Sequence, residues 1–268
     1  MADRGCNNRT LQAHLGGCQK MDIRQTRRGW FQEMCLGCEA RTEFKYFVDG
    51  HQVAHSLESS NFCCRICCNG IHPFEMQVQE LNTQANILTL ERPLRCHASS
   101  CKCCCYQQGI VTTGTGLELQ LLGSIQERCY ICVPEFHVYD SQGNGLYRLH
   151  PPTCCCGLFV NVCAEGNPCC GRGCCKVPFH LFPYHQINTD NAHHVGKILK
   201  KPKSLWTELF TDANAFEVDF PVDATAEHKG VLVGAAILLN AIFFEEKHNE
   251  GQEAEEDAFL NFGGIGTY

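Results

Sequence analysis

Cysteine is the residue whose number and spacing could do most chemistry in this chain: 23 of 268 residues, all between Cys6 and Cys175. They fall in clusters: Cys35 and Cys38; Cys63, Cys64, Cys67 and Cys68; Cys96, Cys101, Cys103, Cys104 and Cys105; Cys129 and Cys132; Cys154 to Cys156; and Cys163, Cys169, Cys170, Cys174 and Cys175. Cys-x-x-Cys spacing, as in Cys35 with Cys38 and Cys129 with Cys132, suits thiolate coordination of tetrahedral zinc (Zn2+). The last cluster, in CAEGNPCCGRGCC, sets several thiols among turn residues and is the candidate zinc segment. Runs of adjacent cysteines suit zinc less well, because neighbours on a strand point to opposite faces. They suit S-acylation, in which each buried CH2 of an acyl chain adds about 0.8 kcal/mol of membrane affinity. The bland alternative is a set of small buried hydrophobes. The opening residues carry no apolar signal core, which places the thiols in a reducing, cytosolic compartment.

Two further segments have chemistry-bearing spacing. Asp212 to Asp223 (DANAFEVDFPVD) has the length of a calcium loop, with Asp212, Asn214 and Asp223 as oxygen donors. It lacks the glycine at the sixth position and the glutamate at the twelfth, so any calcium (Ca2+) site is expected to be weak. Its alternation also reads as a strand with Phe216, Val218 and Phe220 inward. Lys197, Lys200, Lys201 and Lys203 (KILKKPK) form a basic run that could serve nuclear import or an anionic surface, or could be a solvated hairpin edge. No phosphate-binding loop, His-Glu-x-x-His or nucleophile elbow is present in the sequence, so it shows no hydrolase or transferase constellation. The formal charge of −7 comes almost entirely from seven acidic residues between Glu245 and Asp257, set against Lys247. A nearly neutral folded part argues against a nucleic-acid partner.

The elements that must position these residues are strands. Phe44, Tyr46 and Val48 alternate with polar residues before Asp49-Gly50. Phe74, Met76 and Val78 are followed by a return through Ile87, Leu88 and Leu90, and Leu117, Leu119 and Leu121 continue the pattern. Asn144-Gly145 marks another hairpin, and Phe179, Leu181, Val195 and Ile198 a late one. The spacing predicts a meander of about twelve antiparallel strands. Val231 to Phe244 (VLVGAAILLNAIFF) is then apolar on every face except at Asn240, so as a helix it must be buried all round, in lipid or in protein. With Gly230 it gives about 22 Å of helix at 1.5 Å per residue, against about 30 Å of hydrocarbon core. An all-β closed barrel wrapped around this single C-terminal helix is therefore preferred over a single-pass span. The domain reading is a polar N-terminal tail over 1–28, a barrel domain over 29–245 with its helix at 230–244, and an acidic, glycine-rich tail over 246–268.

Several stretches carry a resemblance to the phospholipid scramblase family: FEMQVQELNTQANILTLERPLRC (Phe74 to Cys96), the cysteine cluster after it, Gly196 to Ile198 with Trp206, and Thr207 to Glu245. The similarity runs from about Gly29 to Glu245. It implies a tubby-like barrel and calcium-dependent, ATP-independent movement of phospholipids between leaflets. Calcium would be held by Asp212, Asn214, Phe216, Val218, Phe220 and Asp223, the apolar three through their carbonyls. Acylation would fall on Cys103, Cys104 and Cys105, placing the protein on the cytoplasmic face of the plasma membrane, with nuclear entry when not acylated. Membrane phospholipids are the implied partners, and a homo-oligomer is compatible. The alternative is a tubby-like adaptor that docks on membranes and moves no lipid. The proline-rich N-terminal region of some family members has no counterpart in the first 28 residues.

Overall fold

The computed structural model describes residues 4–27, 41–61, 64, 72–95, 105–154, 157–161, 178–186, 194–201 and 215–244. Twelve strands form a closed antiparallel barrel, each hydrogen-bonded to its neighbours in sequence order apart from one inserted hairpin. They are β1 (Lys20–Arg27), β2 (Thr42–Val48), β3 (His51–Ser59), β4 (Phe74–Glu80), β5 (Asn86–Arg92), β6 (Gln108–Thr113), β7 (Gln120–Glu127), β8 (Phe136–Asp140), β9 (Gly145–His150), β12 (Pro178–Pro183), β13 (Gly196–Lys201) and β14 (Ala215–Asp219). The inserted hairpin, β10 (Thr153–Cys154) with β11 (Phe159–Val160), lies between β9 and β12. The barrel closes where β1 pairs with β14, Ile23 opposite Phe216, while Ile23 also faces Tyr46 of β2. Closure removes the exposed sheet edges that would otherwise invite association.

The alternating residues point into the lumen as their period requires. Phe44, Tyr46, Met76, Val78, Leu88, Leu90, Phe179, Leu181, Phe216 and Val218 are all buried. At Asp49-Gly50 both residues have positive φ, 50° and 81°, the geometry of a two-residue hairpin turn. In the β8–β9 turn the left-handed residue is Gly143, at φ 84°. The Asp140 carboxylate accepts the amides of Gln142 and Asn144 at 2.8 Å each.

The lumen is filled by α2 (Ala226–Leu239), which continues as a π-turn through Asn240–Phe244. Thr225 caps it by accepting the His228 amide at 3.2 Å. Every residue from Lys229 to Leu239 is buried, so the all-round apolar pattern is met by protein. Glycine allows the close approach of helix to wall: a Cβ on Gly234 would lie 2.5 Å from Val111 Cγ2. Ala226–Phe243 is long and apolar enough to cross a membrane by length and composition, but here it is enclosed by the strands.

Three expectations are corrected. The region 1–28 is not wholly a tail: α1 (Arg4–Leu15) and β1 lie within it. The helix is polar except for Leu11 and Leu15, which are buried where α1 packs on α2 and β5. With two large apolar residues in twelve, its sequence gives almost no periodic signal, and the barrel's end supplies a surface for it. The core helix starts at Ala226 rather than Gly230, and Lys229 is inside it and buried. Leu119 and Leu121 are exposed, because a 3-10 turn at Gly116–Glu118 delays β7 and Leu122 and Ile125 face the core instead. The acidic tail lies outside the described residues.

Candidate functional site

The up-and-down order gives the barrel two unlike ends. At one, the plugged end, Leu11 and Leu15 of α1 close the lumen near Leu88, Leu122 and Gly230. The Lys229 ammonium, buried within the core helix, donates to the carbonyl of Gly16 at 3.1 Å. It thereby satisfies an acceptor left over at the helix C-terminus. His14 bonds Glu80 at 3.0 Å and ties α1 to β4.

At the other end, the mouth, the inward positions turn polar. Glu58 accepts Ser60 Oγ at 2.5 Å, pairs with His72 Nε2 at 3.0 Å and receives the Thr42 amide at 3.3 Å. Burial would raise the Glu58 carboxyl, but the His72 and Ser60 hydrogen bonds, the His72 charge and the Thr42 amide together hold it below its ordinary value. Arg92 donates from Nε and Nη2 to Gln107 Oε1 at 3.2 and 2.9 Å, and the Gln107 amide donates to Glu127 at 2.7 Å. Asn240 reaches Gln25 at 3.5 Å. Tyr130, half-buried beside Glu127, is pushed up by burial and by that carboxylate. Ser60 and His72 both bond the same carboxylate, Glu58.

The chain leaves and re-enters the barrel at the mouth between β1 and β2, β3 and β4, β5 and β6, β7 and β8, β9 and β12, and β13 and β14. Every cysteine from Cys35 to Cys175 falls in the first five of these connections; at the plugged end the strand-to-strand turns contain none, and Cys18, between α1 and β1, is buried. The signal was present in the sequence, since no cluster sits at the tight turns Asp49-Gly50 or Asn144-Gly145, yet it becomes meaningful only once the strands are counted. Among the described residues, Cys105 is half-buried at φ 62°, Cys129 is exposed, and Cys64, Cys132 and Cys154 are half-buried. Cys103 and Cys104 lie outside the described residues, as do Cys163, Cys169, Cys170, Cys174 and Cys175. No group of three or more metal-ligating side chains occurs among the described residues.

Four of the six implied calcium residues are described, and they run along and beyond one strand. Asp212 and Asn214 lie outside the described residues. Phe216, Val218 and Phe220 are buried in the core, and β14 is paired on one side with β1 and on the other with β13, so its peptide groups are committed to two ladders. Asp223 stands beyond the far end of β14, at the plugged end. The five residues of the strand alone span about 13 Å, whereas calcium ligands lie about 2.3–2.6 Å from the ion. Lys197, Lys200 and Lys201 belong to β13, hydrogen-bonded on both sides, rather than to a free basic peptide. Lys203 lies outside the described residues.

A closed twelve-strand barrel with an apolar helix in its lumen is the architecture, and the comparisons name the lineage. The family model described as Scramblase matches residues 25–165 and 161–246, and the chain belongs to that family. It is 28% identical over 219 residues to phospholipid scramblase 2 of Bos taurus, covering 81% of this chain and 66% of the relative. It is 30% identical over 224 residues to phospholipid scramblase 1 of Homo sapiens, covering 83% of this chain and 62% of the relative. Human phospholipid scramblase 4 is 22% identical over 180 residues, 65% of this chain and 46% of the relative. The chain thus spans less than two thirds of the length of these relatives. No solved structure matches it at a significant level.

Proposed function

We propose that this protein moves phospholipids between membrane leaflets without making or breaking bonds. The supporting observation is the match to proteins named phospholipid scramblase, which runs across the barrel wall and through α2. The lumen is occupied by α2 and closed by α1, so headgroups would cross beside the barrel, through lipid that it perturbs. Calcium is the trigger in this reading and ATP is not needed. Asp212 and Asn214 are the donors in this reading, since Phe216, Val218 and Phe220 face the core. S-acylation of Cys103, Cys104 and Cys105 holds the protein on the membrane, because two acyl chains anchor stably where one does not.

The test is reconstitution of the purified chain into liposomes carrying a fluorescent lipid. Addition of calcium without ATP should let an external quencher reach the inner-leaflet probe, and Asp212→Ala should weaken the calcium response. Unchanged probe protection would sink the proposal. The filled lumen favours one second reading, a membrane-docked adaptor that moves no lipid, and that same null result would support it. Zinc held by Cys163, Cys169, Cys170, Cys174 and Cys175 is checked by elemental analysis of the purified protein.

A further inference from the structure

Both ends of the barrel expose large apolar side chains, but they differ in charge and in thiols. At the mouth, Leu94 is 57% exposed, Ile131 84% and Leu158 64%. They sit on the β5–β6, β7–β8 and β9–β12 connections, which are neighbours around the rim. Arg41, Arg95 and Arg128 are exposed on the same end. Of the described mouth carboxylates, Glu43, Glu58 and Glu127 are buried, Glu135 is bound to His137 at 2.8 Å, and Glu75 and Glu91 face each other on the wall one residue inside the strand ends. At the plugged end Leu119 and Val222 are exposed too. The described turns there carry Asp49, Glu118 and Asp223 and no lysine or arginine, with Glu80 and Asp140 beside them. Arg9 of α1 and Lys20 offset them, and Lys20 is already bound to Glu217 at 2.5 Å.

We propose that the mouth is the membrane-docking end, its apolar rim entering the interface of an anionic bilayer with Arg41, Arg95 and Arg128 at headgroup level. This rests on the membrane part of the function proposed above and adds an orientation to it. An anionic surface attracts the arginine-bearing rim and repels the carboxylate-bearing turns, which decides between two ends of similar apolar exposure. Interfacial binding scales with the apolar area that enters and with attraction to anionic lipids. The same end carries the exposed or half-buried thiols Cys105, Cys129 and Cys132. Acyl chains on thiols at the opposite end would have to reach past the whole barrel.

The experiment uses the full, unacylated chain with phosphatidylcholine vesicles, with and without phosphatidylserine, and follows co-sedimentation. Ile131→Asp and Leu158→Asp should each weaken binding by about tenfold or more, since each places a charge in the interface. Leu119→Asp and Val222→Asp at the plugged end should leave binding unchanged. Arg95→Glu with Arg128→Glu should remove the preference for phosphatidylserine. A second readout, Ile131→Trp quenched by brominated lipid with Val222→Trp unquenched, needs no loss of function. Equal loss from both ends, or quenching at Val222→Trp alone, overturns the orientation. Self-association through Ile131 with no vesicle binding would make the mouth a protein interface and also overturn it. Mouth-first binding without lipid flip would leave the orientation intact and sink scrambling; flip with plugged-end binding would do the reverse.

Discussion

At the plugged end the strands are joined by turns as short as Asp49-Gly50, and the lumen closes on Leu11 and Leu15 with a single buried cation, Lys229, bonded to a helix carbonyl. At the mouth the same strands are joined by long connections, and the lumen ends in Glu58, His72, Arg92, Gln107 and Glu127, cross-linked by hydrogen bonds. One end is held by apolar packing, which tolerates no gap. The other is held by polar pairs, which tolerate water nearby but depend on charge state. A barrel can therefore keep a rigid core while most of the long chain segments that meet its surroundings gather at one end, the β12–β13 connection of the plugged end apart.

Substitutions can sharpen that contrast. Leu11→Ala should have the largest effect, a loss of about 3 kcal/mol in denaturant unfolding, because a fully buried leucine is removed from a closed surface. Hydrogen exchange should show α1 losing protection before the barrel does. A loss below about 1 kcal/mol would mean that α1 is not part of the closed core.

Glu58→Gln should cost about 2 kcal/mol at neutral pH, the range for hydrogen bonds to a buried charge. Its pH dependence is the sharper measurement. The folded carboxyl sits below its ordinary 4.5, so between the two values the unfolded chain binds the extra proton. The stabilisation is complete above that value and is lost as pH falls through the folded one. Wild type should therefore lose stability on acidification from pH 4.5 downward more steeply than the variant. Parallel curves would remove charge from the account of the mouth.

Lys229→Met should follow at about 1 kcal/mol, since methionine keeps the packing and forfeits only the bond to the Gly16 carbonyl. Asn240→Leu should be the smallest change, within about 1 kcal/mol of wild type. The amide makes one long contact at 3.5 Å and leaves its oxygen without a hydrogen bond, so leucine removes as much penalty as it adds. A loss of several kcal/mol would mean that Asn240 is as tightly specified as the plugged end.

The barrel was legible where a residue's environment repeats. The alternation of Phe44, Tyr46, Met76 and Val78 and the all-round apolar character of α2 each follow from one face or one lumen. What escaped was α1, whose twelve residues hold only two that matter to packing and whose partners are Leu88 and Gly230, far away in the chain. The Glu58–His72 and Arg92–Gln107 pairs escaped for the same reason, since polar residues at inward positions break the alternation that reveals strands. Asp212 to Asp223 could be read two ways, as a calcium loop by length or as a strand by the apolar period of Phe216, Val218 and Phe220, and the strand is present over Ala215–Asp219.

The seam between β1 and β14 has a consequence for how the protein is made. The wall is completed only when Phe216 arrives opposite Ile23, and the bond from Lys229 to Gly16 spans 213 residues of chain. Contacts so distant in sequence carry a large closure cost and form late. On the ribosome the earlier strands are therefore synthesised before the helix they enclose exists. During that interval their inner faces are open, and the most apolar stretch of the chain is the last barrel element to emerge. Whether that stretch meets hydrocarbon or its own barrel first is a race between insertion and closure.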